Sequence, residues 1–275
     1  MTDLLTVIKG RKSVRTFDPQ PISNEDKGKL EQYIQTITDP FDIPVRFVLL
    51  DAKEYGLSSP VLTGESLFVA GIVKKMPYAD VAFGFAFEKL VLYAWSLGIG
   101  TTWIGGTMKR ELFEQAARLA EGEMMPCMSP LGYPAKKRSL RETMMRKGIA
   151  ADSRMSAEKL FFDGTFDTVL PAEKQAKIGD LIEMVRWAPS AVNKQPWRIV
   201  VSGQDFHFYE KHDKNYFSEK TGDLQKVDVG IALCHMVMGL EEKGKKYEVV
   251  VADLGSSVPE GCEYIATVRI TDGSF

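Results

Sequence analysis

Cysteine and histidine are both scarce in this chain, at three residues each among 275. Cys127, Cys234 and Cys262 are too scattered for a disulfide framework, and none forms a CxxC pair, which suits a reducing cytoplasm. No HExxH, CxxC or Ser/His/Asp arrangement is present, so neither a metal site nor a hydrolase triad is expected. An excess of one charge is missing too. With 35 basic against 37 acidic residues the net charge is -2, and no global field would draw the chain to nucleic acid or anionic lipid. A small-molecule partner is the expectation. Long apolar runs are also absent: Val81 to Leu97, the most apolar segment, carries Glu88 and Lys89 and falls short of the ~20 residues of a membrane span. It reads as a buried core helix. The stretch Leu4 to Ile8, bracketed by Asp3 and Lys9, is no signal peptide, and a cytoplasmic protein is expected.

The three histidines attract no role. His235 adjoins Cys234 on the apolar helix Val227 to Leu240, where neighbours diverge by about 100° and cannot easily share a metal. His207 and His212 flank a Phe-Tyr run and read as strand or solvated positions. Met124, Met125, Met144 and Met145 read as packing or connector residues.

What is present is a mixture of helical periods and short β-branched runs, hence an α+β chain. A helix from Asp3 to Lys9 is expected to end at Gly10 in a left-handed cap. Ser23 reads as the N-cap of a second helix, with Asp26 as capping-box partner. Strand Arg46 to Asp51 and a less periodic stretch through Gly56 and Gly64 precede the buried helix. The order then runs through Gly98 and Gly100, a strand Thr101 to Gly106 and an amphipathic helix Lys109 to Ala120. Pro126 to Pro134 closes the first half, and the charged stretch Lys136 to Arg154 reads as a connector.

The second half repeats this plan. Glu25 and Lys29 recur as Glu173 and Lys177, and Asp80-Val81-Ala82 as Asp228-Val229-Gly230. Pro44, Arg46 and Val48 recur as Pro196, Arg198 and Val200 at a wider spacing, so the second half carries extra residues around Ala188 to Asn193. Two tandem halves, 1–150 and 151–275, are expected to pack as an intramolecular pseudo-dimer.

Two segments carry chemistry. Arg11, Lys12, Ser13 and Arg15 follow the first helix, where an extended chain sends residues 11, 13 and 15 to one side. Two guanidinium forks and a hydroxyl suit a phosphate dianion, although cations also gather at helix C-termini because of the dipole. The second segment, Arg186 to Trp197, leaves a helix, crosses a polar loop and enters a strand. With Gln195 and two tryptophans it is costly to expose unless its polar groups have a partner.

Together these segments resemble the nitroreductase family of FMN-dependent oxidoreductases, in a fused two-half form. The resemblance rests on RKSVR at Arg11 to Arg15, APSAVNKQPW at Ala188 to Trp197, a GxGTxWIGG-like run at Gly98 to Gly106, and LGYP at Leu131 to Pro134 followed by Lys136, Lys137 and Arg138. In the family each flavin lies at a dimer interface. Here the first half reads Thr38-Asp39-Pro40-Phe41-Asp42 where the PSxxN loop would fall, and the second half lacks RxSxR and GYP. The motifs are complementary, which implies one complete site.

Carried over, the resemblance implies that Arg11, Lys12, Ser13 and Arg15 hold the phosphate and pyrimidine edge of FMN. Pro189, Ser190, Ala191 and Asn193 would contact it from the second half. Backbone amides at Ile104, Gly105 and Gly106 would approach the isoalloxazine, and Arg138 would reach the phosphate, although spacing does not choose among it, Lys136 and Lys137. FAD or tightly bound NAD would bring GxGxxG, and the nearest match breaks at Trp103. The implied activity is electron transfer from NADH or NADPH through FMN to a nitroaromatic, quinone or similar small acceptor. No catalytic side chain is required, Arg15 being the candidate electrostatic stabiliser of reduced flavin, and a functional monomer is possible. The alternative is a non-catalytic flavin-binding protein, a sensor or store, with Tyr55 to Met76 filling the flavin face.

Overall fold

The computed structural model describes residues 3–251 and 258–273. Helix α1 (Leu4–Gly10) is capped by Asp3, which accepts the Thr6 amide. Gly10 does not adopt the left-handed cap. It is the last helical residue, and Arg11 turns at once into extended backbone. A glycine there serves close packing instead, since a Cβ would lie 3.3 Å from the Trp95 indole nitrogen. Helix α2 (Asn24–Ile34) starts at Ser23, whose hydroxyl accepts the Asp26 amide as the motif predicts. The Asp26 carboxylate accepts the Tyr133 hydroxyl at 2.6 Å.

Strands β1 (Arg46–Asp51) and β2 (Leu67–Lys74) pair antiparallel, and β2 also pairs with β3 (Glu123–Met124) and β4 (Met128–Leu131). Period-2 alternation misses β2 for a physical reason. Leu67, Val69 and Val73 enter the main core, whereas Phe68, Ala70 and Ile72 enter a second, smaller one. A strand covered on both faces reads as a continuous apolar run. Being a central strand, Leu67–Lys74 cannot act as a flexible cover, which leaves that role to the part of Tyr55 to Met76 that precedes it. The expected strand at Thr101 to Gly106 is reduced to bridges, including Gly100 with Gly132 and Ile104 with Met128.

Helices α3 (Ala79–Ser96), α4 (Arg110–Ala116) and α5 (Leu140–Gly148) complete the first half, α4 being shorter than its amphipathic pattern suggested. The second half adds β5 (Phe161–Asp163), α6 (Ala172–Ile178), α7 (Asp180–Arg186), β6 (Trp197–Ser202) and β7 (Asp205–Lys211). A ribbon of β8 (Phe217–Ser218) and β9 (Gly222–Asp223) leads into α8 (Leu224–Glu242), then β10 (Tyr247–Val250) and β11 (Cys262–Ile270). Its sheet runs β10-β11-β7-β6-β5, with only β5 parallel to its neighbour.

The apolar helices α3 and α8 lie against each other at the centre of the main core. Their approach is reciprocal. A Cβ at Gly84 would overlap the carbonyl of Val227, and one at Gly230 would overlap the carbonyl of Val81. This pairs Val81 with Val227, two positions away from the register that matching Asp80 to Asp228 suggests. Gly84→Ala is expected to wedge the helices apart and lower the unfolding free energy by about 1–3 kcal/mol, a typical cost of overpacking. A urea midpoint equal to wild type would show that the contact yields freely.

Candidate functional site

The extended segment after α1 lies beside the glycine run, Ser13 bridging to Thr101 and the Val14 amide bonding the Thr101 carbonyl at 2.8 Å. This alignment sends Val14 into the smaller core while Arg11, Ser13 and Arg15 face a cleft. Gly100 makes room, since a Cβ there would strike the Val14 side chain.

The opposite wall is the loop between α7 and β6. Val192, Asn193 and Gln195 all have positive φ (44°, 60° and 51°), conformations costing about 1–3 kcal/mol each that persist only when neighbours over-determine them. Here the neighbours are identifiable. The Ala191 amide donates to both oxygens of buried Asp228, at 3.1 and 3.0 Å, and the Gln195 amide donates to Ser190 Oγ at 2.8 Å. Asn193 Nδ2 donates to the Ala150 carbonyl at 2.9 Å, and Gln195 Oε1 accepts the Met155 amide at 2.8 Å. Burial holds the Asp228 carboxyl well above the usual carboxylate range, with Asp223 and Glu210 adding to the effect and the Ala191 amide opposing it.

The third wall is α5 and the chain after it. Ser139 caps α5 by accepting the Glu142 amide, and Glu142 Oε2 accepts the Arg15 amide at 3.2 Å and the Thr16 hydroxyl at 2.8 Å. The supposed connector is thereby fastened over the cleft. Met145 and Ile149 line the apolar part, together with Trp103, Leu224, Val227 and Ile231, around a cavity of about 290 Å³. A basic recess of about 60 Å³ adjoins it, with Lys9, Arg11, Lys12, Arg146 and Arg154 in its wall. Ser13, Ile149, Pro189 and Ser190 line both.

The recess concentrates positive charge out of water. Arg11 is 7% exposed, and burial pushes its pKa down, Glu88 opposing and Arg146 reinforcing the shift. Arg15 is lowered by burial in the same way, with Glu142 opposing and Arg146 reinforcing. Burial takes Arg154 to about 10, Arg11 adding to the effect. Arg11 Nε and Nη1, Arg15 Nη1 and Arg154 Nε are buried with no hydrogen-bond acceptor. Buried donors are ordinarily paired, and four orphaned guanidinium nitrogens at one cleft call for an anion. The apolar cavity next to them has room for a hydrophobic group on the same molecule. An aromatic cofactor ending in phosphate fits both parts.

Of the residues singled out from sequence, Arg11, Lys12, Ser13, Arg15, Gly105, Gly106, Pro189, Ser190, Ala191 and Asn193 come together around this cleft. Two do not. Ile104 is in the smaller core, and its amide donates to the Met128 carbonyl at 2.9 Å, so it is not available to a ligand. Arg138 opens onto an adjoining groove with Lys136 and Lys137, its Nε 3.5 Å from Glu142. Arg146 and Arg154 occupy the recess instead. Ser139 followed by Glu142, a capping-box spacing, was the signal in the sequence for the helix that delivers Arg146. Cys127 also lines the cavity, but burial pushes its thiol up to about 12, with Asp228 contributing, which disqualifies it as a thiolate nucleophile.

An α+β chain with a basic cleft beside an apolar cavity, between its N-terminal segment and a strained loop, has a site for a small molecule that joins an anionic group to an apolar one. A family model described as "Putative TM nitroreductase" matches residues 3–240, and the chain belongs to that nitroreductase family, whose members are generally flavin-dependent oxidoreductases. Among solved structures the chain is similar to a "putative nitroreductase" of Thermotoga maritima, at 19% identity and TM-score 0.62, over 98% of this chain and 93% of that one. It is also similar to a "Putative NADH dehydrogenase/NAD(P)H nitroreductase" of Bacteroides thetaiotaomicron, at 22% identity and TM-score 0.43, over 50% of this chain and 91% of that one. An "FMN-dependent Nitroreductase" of Clostridium difficile matches at 17% identity and TM-score 0.42, over 52% of this chain and 95% of that one. No curated protein matches the chain. Among the described residues no helix is long and apolar enough to cross a membrane.

Proposed function

We propose that the chain is an FMN-dependent NAD(P)H oxidoreductase acting on a nitroaromatic, quinone or similar small acceptor. The carrying observation is the set of orphaned guanidinium nitrogens beside an apolar cavity. Arg11, Lys12, Ser13, Arg146 and Arg154 would hold the phosphate, through charge-assisted bonds worth about 1.5–3 kcal/mol each. Arg15 would lie toward the electron-rich edge of the ring. The amides of Gly105 and Gly106, which donate no hydrogen bond among the described residues, are available to the ring system, and Pro189 to Ala191 would pack against it. When bound, FMN supplies the redox chemistry, taking two electrons from a nicotinamide and passing them to the acceptor. The protein's part is orientation, positive charge and exclusion of water.

The proposal includes two tandem halves, 1–150 and 151–275, forming an intramolecular pseudo-dimer with one complete site. Its support is topological. Hairpin β1–β2 and hairpin β6–β7 are each extended by a later antiparallel strand, β4 beside β2 and β11 beside β7. Residues 100–104 then bridge to the far side of β4, as β10 pairs with β11. The reciprocal Gly84 and Gly230 contacts are those of a two-fold interface.

Purified protein is expected to be yellow, to release FMN on denaturation, and to bleach rapidly with NADH or NADPH under argon. Recovery of FAD as stoichiometric ligand would contradict the phosphate assignment. FMN that stays oxidised with both nicotinamides would favour the non-catalytic flavin binder.

A further inference from the structure

At the far end of the second half, β7 ends against the first turn of α8, and three side chains converge there. The ligand atoms of Glu210, His212 and Asp223 all lie within 4.8 Å of one another. We propose that these residues bind one divalent transition-metal ion, in a site separate from the cleft. Glu210 carries the case. It is 0% exposed, its Oε2 receives no hydrogen bond and its Oε1 has only the imidazole of His212 beside it, a costly state for a charged group unless a cation compensates it.

Among the described residues the charge around it is mostly negative. Glu263 stands directly opposite Glu210 in the β7–β11 register, a like-charge pair that destabilises a sheet. Asp80 brings a further carboxylate, fitted closely against Gly222, where a Cβ would overlap Oδ1. Lys226, nearby on α8, directs its Nζ to Glu263 at 2.7 Å. Only His212 remains, its Nδ1 2.7 Å from Glu210 Oε1 and its Nε2 3.3 Å from Glu263 Oε2.

The donor set names the class of ion. One imidazole nitrogen with two carboxylates is a mixed N,O set that suits zinc, or its first-row neighbours, better than the all-oxygen shells of magnesium and calcium. With bonds of about 2.0–2.2 Å, ligands of a tetrahedral ion stand roughly 3.4 Å apart, so binding requires a modest contraction. His212, at 39% exposed, is free to make it, and solvent on that side completes the coordination. The ion would tie the end of β7 to Asp223, which caps α8 by accepting the Gln225 amide at 2.9 Å. The first two turns of α8 supply Leu224, Val227 and Asp228 to the cleft, so the ion would stiffen one of its walls.

The test uses full-length protein without a polyhistidine tag, dialysed against chelator and titrated with zinc chloride in a calorimeter. One zinc per chain at micromolar or lower dissociation constant is expected, with magnesium at least tenfold weaker. His212→Ala and Glu210→Gln should each weaken zinc at least tenfold while FMN uptake stays unchanged. If Glu210→Gln does not fold, the more exposed His212→Ala still decides the matter. No zinc binding by wild type, or zinc binding unchanged in His212→Ala, would overturn the assignment.

Discussion

Titration of flavin-free protein with FMN is expected to saturate at one molecule per chain, and Arg11→Met to raise the dissociation constant by roughly a hundredfold. Two nitrogens of Arg11 are buried without acceptors, and each charge-assisted bond they make to a phosphate is worth about 1.5–3 kcal/mol. Since 1.4 kcal/mol is a factor of ten, two bonds at the lower figure reach that loss. Methionine keeps the aliphatic length while removing the charge. In the free protein the same change is benign, because burial disfavours the Arg11 cation and Arg146 adds to the effect, despite Glu88. Affinity should therefore fall without a matching fall in the stability of the flavin-free chain. Arg154→Met, from the second half, should weaken the same single site. Two flavins per chain, or unaltered affinity in Arg11→Met, would exclude the shared phosphate recess.

Local signals were legible wherever a short stretch of sequence determines its own structure. The Ser23 cap, the bounds of β1 and the apolar helix α3 all follow from side-chain chemistry within one or two turns. So did the alternation that sends Arg11, Ser13 and Arg15 to one side. What escaped was set by distant partners. Strand β2 lost its alternation because two cores share it, and Gly10 is glycine because of Trp95 rather than a helix cap. The sequence pointed to Arg138 or its neighbours Lys136 and Lys137 because they follow the LGYP turn, whereas the path of α5, fixed by Glu142 against Arg15 and Thr16, brings Arg146 to the recess. Ligands as scattered as Glu210, His212 and Asp223 meet only once β7 and α8 are packed.

Glu88→Ala is expected to lower the unfolding free energy by about 3–5 kcal/mol, the usual consequence of removing one partner of a buried ionisable pair. Glu88 is 0% exposed on α3, and one carboxylate oxygen lies 3.0 Å from His235 Nε2 on α8. The other accepts the indole N–H of Trp103 at 3.2 Å, while His235 Nδ1 lies 2.7 Å from the Met184 carbonyl on α7. One side chain thus joins α3 to α8, through α8 to α7, and to the Trp103 ring that lines the cleft. Alanine leaves a void, an imidazole and an indole donor without their acceptor. Glutamine retains a carbonyl for one of them and should cost less, about 1–3 kcal/mol. For a chain of this size each kcal/mol shifts the melting temperature by roughly 2–4 °C, so the alanine variant should melt about 10 °C below wild type. Trp103 fluorescence gives a second readout, since the freed indole should change its emission in both variants. A Glu88→Ala protein within about 1 kcal/mol of wild type in urea would mean that the two helices hold together by apolar packing alone, with the buried pair contributing nothing to it.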